Sequence, residues 1–133
     1  MATLTDVARA IDRLDYRPRE RAEAWAALPE AKITPDAWPV VAALAEAAAW
    51  DARPPHPLAA RHLLADHLAL ALPAARALGW LYRSTPGGQA REALGRVSEA
   101  VGSQWLWWWS ERDGEDGDAV LRVLAALWGC DHA

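Results

Sequence analysis

The chain is 133 residues long with a formal net charge of −4, which suits one domain with a sizeable core. That charge argues against a nucleic-acid binder, which presents a net basic face. A single cysteine, Cys130, excludes a disulfide framework and fits a reducing compartment.

Phenylalanine and asparagine are absent, Lys32 is the sole lysine, and Ile11 and Ile33 are the two isoleucines. All four scarce types have AT-rich codons, which points to a GC-rich bacterial genome and lets tryptophan take core places elsewhere given to phenylalanine. The first 14 residues are charged and amphipathic, without the apolar stretch of a secretory signal. Glu46, Arg76 and Gln104 interrupt the longest apolar runs, short of the ~18 residues a span needs. A cytoplasmic protein without a membrane partner is the expectation.

Alanine and leucine dominate while β-branched residues are few, so helix is favoured over strand. Leu4, Val7, Ile11 and Leu14 form a first helical stripe, and Thr3 with Asp6 resembles a capping pair. A second helix starts near Pro18, carries Ala22, Trp25 and Leu28 on one face, and stops at Pro29. Thr34-Pro35 signals the start of a third, with Trp38, Val41, Leu44, Ala45 and Ala48 inward. After Pro54-Pro55-His56-Pro57 a fourth helix is expected from about Leu58 to Arg83, kinked or divided at Pro73. Ser84 to Gly88 is a loop. A fifth helix places Leu94, Val97, Val101, Trp105 and Trp108 on one stripe, and a sixth runs from about Asp118 to Trp128 with Gly129 as its end signal.

Trp50, Trp80 and Trp109 stand 30 and 29 residues apart, and each opens a Trp-x-x-Arg ending at Arg53, Arg83 or Arg112. Two readings fit: a short α-solenoid with a period near 30, or a bundle in which arginine offsets the negative end of each helix. The bundle is the reading adopted. The expected fold is therefore all-α, a compact bundle of five to six helices forming a single domain over residues 1–133.

Residues 105–109 carry four tryptophans, and five acids lie between Glu111 and Asp118. Trp105 and Trp108 continue the core stripe, whereas Trp107 falls on the opposite side. The acids do not fit a calcium loop. Counting from Asp113, the fifth position is Gly117 and the twelfth is Leu124, where ligands belong. Carboxylates before a helix are read as caps.

His56, His62, Asp66 and His67 are the one cluster of ligand-type side chains. His62 and Asp66, four apart, would share a face, while His67 lies on an apolar stripe. The basic segment Arg9, Arg13, Arg17, Arg19 and Arg21 is interleaved with acids and reads as a solvated ion-pair face. No nucleophile motif or phosphate-cradling glycine loop is present.

The functional expectation is a non-enzymatic protein–protein interaction module, an adaptor or accessory subunit. It would use Trp107 and Trp109 as anchors. Glu111, Asp113, Glu115 and Asp116 would select a partner with a basic surface, either another protein or a second copy. No cofactor is expected. The alternative is a metal- or small-ligand-binding bundle, with possible enzymatic activity, built around His67 with His62 and Asp66.

Overall fold

The computed structural model describes residues 3–14, 17–31 and 38–129. Among these, six α-helices follow in order: α1 (Leu4–Arg13), α2 (Pro18–Ala27), α3 (Trp38–Asp51), α4 (Leu64–Ser84), α5 (Gln89–Glu111) and α6 (Gly117–Trp128). Short 3₁₀ turns occupy Leu28–Glu30 and Arg61–Leu63. The Thr34-Pro35 start signal and Cys130 lie outside the described residues.

Local chemistry sets several helix ends. The Thr3 hydroxyl accepts from the Asp6 amide and the Asp6 carboxylate accepts from the Thr3 amide, a complete capping box on α1. Pro18 opens α2, and Pro29 turns its exit into 3₁₀ geometry. The Thr85 amide and hydroxyl both donate to the Leu81 carbonyl and close α4. Gly129, at φ 75°, takes the left-handed conformation that ends α6.

One expectation about the fourth helix changes and another is narrowed. It begins at Leu64 rather than Leu58, because the preceding prolines lack amide donors and His56 organises its own turn. The Leu58 amide donates to His56 Nδ1 at 3.1 Å and the Ala59 amide to the His56 carbonyl at 2.9 Å. Pro73 does not divide α4, which runs through it for 21 residues. Proline costs a helix one backbone bond, but Ala71, Leu72, Ala74, Ala75, Ala77 and Leu78 are all buried around it, so packing holds the helix together.

Helix α4 is the central element and packs against α2, α3, α5 and α6, while α3 also meets α1 and α5. Contacts thus join elements far apart in sequence. A solenoid, in which each repeat touches its neighbours, is not formed. The α4–α6 crossing is close: a Cβ on Gly79 would lie 2.6 Å from the carbonyl oxygens of Ala126 and Leu127. No described helix is long and apolar enough to cross a membrane.

Candidate functional site

Helix α5 sorts its tryptophans by angle. Trp105 and Trp108 are sealed at 0% and 1% exposure, whereas Trp107, between them, is 61% exposed. The Trp105 indole donates to the Ala52 carbonyl at 2.6 Å and stacks edge-on against Trp108, centroids 5.3 Å apart. Both are core groups. Trp109 is half-buried, with its indole against Gly114 and Gly117, and so does not share the outward face of Trp107.

A groove of about 550 Å³ runs beside Trp107. One wall is the proline segment Pro54, Pro55 and Pro57; the other is Ser103, Gln104 and Trp107 on α5, with Trp108 also in the lining and Arg53 on its border. Apolar surface therefore meets two polar side chains that can hydrogen-bond a peptide backbone. Leu58, directly after the proline segment, and Leu106 on α5 add exposed apolar side chains to these two segments. In the sequence the proline segment reads as a helix breaker; its role as a wall depends on a contact between residues about fifty positions apart.

The acidic turn divides into two groups. Glu111, Asp113 and Glu115 are exposed, as is Asp118 in the first turn of α6. Asp116 instead turns inward, its side chain 6% exposed, and pairs with Arg112 at 2.6 Å and Arg61 at 3.1 Å. It stands at the N-cap position of α6 at φ 63° and makes no capping bond, contrary to the expectation of capping carboxylates. Arg112 also donates to the carbonyls of Pro57 and Ala59 and lies 4.8 Å from the Trp108 ring centre. The pair thus fastens the proline wall to the end of α5.

The histidines do not converge. His62 lies in the 3₁₀ turn before α4, not on the same helix as Asp66, and both are exposed. His67 is half-buried, with Nε2 2.7 Å from the Arg53 carbonyl, so this nitrogen donates. Its ring lies 6.1 Å from that of Trp105. Among the described residues no three His, Cys, Asp or Glu side chains are grouped to hold a metal ion.

A second cluster was not anticipated. Asp51 Oδ2 accepts from Arg21 Nε at 2.9 Å, Arg21 Nη2 at 2.8 Å and the Trp25 indole at 2.8 Å. Arg21 Nη1 donates to the Ile11 carbonyl at 2.7 Å. One buried carboxylate thereby ties α1, α2 and α3 together. The sequence signal was a charged residue near the end of an apolar helix, one position after Trp50.

The three Trp-x-x-Arg motifs differ in use. Arg53 stacks on Trp50, 3.7 Å from its ring centre; Arg112 stacks on Trp108, not Trp109; Arg83 lies against Gly129. Their spacing marks helix ends and not a repeated contact. No protein-family model, curated protein or solved structure matches the chain.

Proposed function

We propose that this chain is a non-enzymatic helical interaction module that docks a partner protein in the groove beside Trp107. The observation that carries the reading is the outward indole of Trp107, 61% exposed on a helix whose neighbouring tryptophans are sealed. A large rigid ring bordering an apolar groove is the type of group that dominates binding energy when a partner covers it. Gln104 and Ser103 supply directional polar contacts. The exposed Glu111, Asp113 and Glu115, close to Trp107 in the chain, favour a partner with a basic rim and chiefly affect encounter rate and specificity. Asp116 and Trp109 support this face from within.

The test is photo-cross-linking in the source cells from an amino acid placed at position 104, with position 96 as control. Position 104 should give a discrete protein adduct, and Trp107→Ala should lower its yield about ten-fold or more, as loss of a hot spot does. An adduct that persists in Trp107→Ala, or forms equally from position 96, refutes the reading.

A further inference from the structure

We infer that the cleft between Arg17 and Arg53 binds the phosphoryl group of a small phosphate monoester with an apolar body. The cleft has a volume of about 510 Å³, in the range of small-ligand sites. Arg17 comes from the start of α2, and Arg53 follows the end of α3. Arg21 and Asp51 also line it, and their ion pair neutralises the deeper cation. The positive charges of Arg17 and Arg53 remain, because neither has a carboxylate partner among the described residues.

Arg53 is already fixed in place. Its guanidinium stacks on Trp50 and Nη1 donates to the Trp50 carbonyl at 2.9 Å. The His67 ring holds its backbone carbonyl. Of its five N–H donors, one is used within the described residues, and little side-chain freedom is left to lose on binding. Arg21 spends three of its five donors on Asp51 and Ile11.

Two arginines on separate elements match a group with several charged oxygens around one centre better than a flat carboxylate, which one fork satisfies. Pro18, Leu70 and Trp50 form the apolar part of the lining, hence the apolar body. This inference is independent of the docking role of Trp107.

The test is a ³¹P NMR titration of the full chain with phenyl phosphate. Inorganic phosphate is titrated the same way, and benzoate is followed by its competition with phenyl phosphate. Phenyl phosphate should saturate and bind more tightly than either. Arg17→Ala and Arg53→Ala should each weaken it about ten-fold or more, the effect of losing a charged hydrogen-bond donor. Trp50→Ala, which changes no charge, should weaken it several-fold by releasing Arg53. Arg96→Ala should leave it unchanged. Binding that does not saturate, benzoate binding as tightly as phenyl phosphate, or an equal loss in Arg96→Ala would overturn the assignment.

Discussion

The five residues Trp105–Trp109 have distinct roles, and substitution should separate them. Trp105→Ala and Trp108→Ala each empty a core position and should cost about 3–5 kcal/mol in urea unfolding. Trp107→Ala removes an exposed ring and should stay within about 0.5 kcal/mol of the parent while lowering the position-104 cross-link about ten-fold or more. Asp51→Ala leaves the Arg21 guanidinium and the Trp25 indole without their shared acceptor, at a cost of about 3–5 kcal/mol, measurable in the same unfolding series. The opposite facing of Trp107 and its two neighbours was legible from helical angle alone. The half-buried state of Trp109 was not, because it depends on a turn with Asp113, Gly114 and Asp116 at positive φ. The inward course of Asp116 was hidden too, since one of its arginines, Arg61, lies 55 positions earlier.

At the level of the helix, caps and crossings dominate. The Thr3 backbone hydrogen bond, followed by its side chain, holds the Asp6 carboxyl below its ordinary value, and Arg9 adds to this. The folded state therefore favours ionised Asp6. Its contribution to stability is fully present above the unfolded-state value of about 3.9 and is lost as pH falls through the lower folded value. NMR titration should find Asp6 below the value of an unstructured peptide, and Thr3→Ala should move it upward. Gly79→Ala would force a methyl against two backbone carbonyls of α6 that cannot rotate away, so a loss of at least about 3 kcal/mol is expected from thermal or urea unfolding. Helix spans were largely readable from stripes and prolines. The late start of α4 was not, because a histidine side chain supplied the competing turn.

For the whole molecule, composition and period were enough to give an all-α fold. They were not enough to choose among packings, since a spacing of 29 or 30 residues fits stacked repeats as well as successive bundle helices. The choice rests on α4, whose buried alanines and Gly79 let several helices approach one axis. The cleft borrows His67 and Leu70 from α4, and the groove and the cleft are each lined by segments from separate parts of the chain.

Arg53 borders both hollows, and its ring partner Trp50, 65% exposed, lines the cleft. If both proposed guests bind, the same stacked guanidinium borders each of them. Any factor by which one guest changed the other's dissociation constant would have to be returned unchanged in the opposite direction, and a ³¹P titration with and without the cross-linked partner would read it.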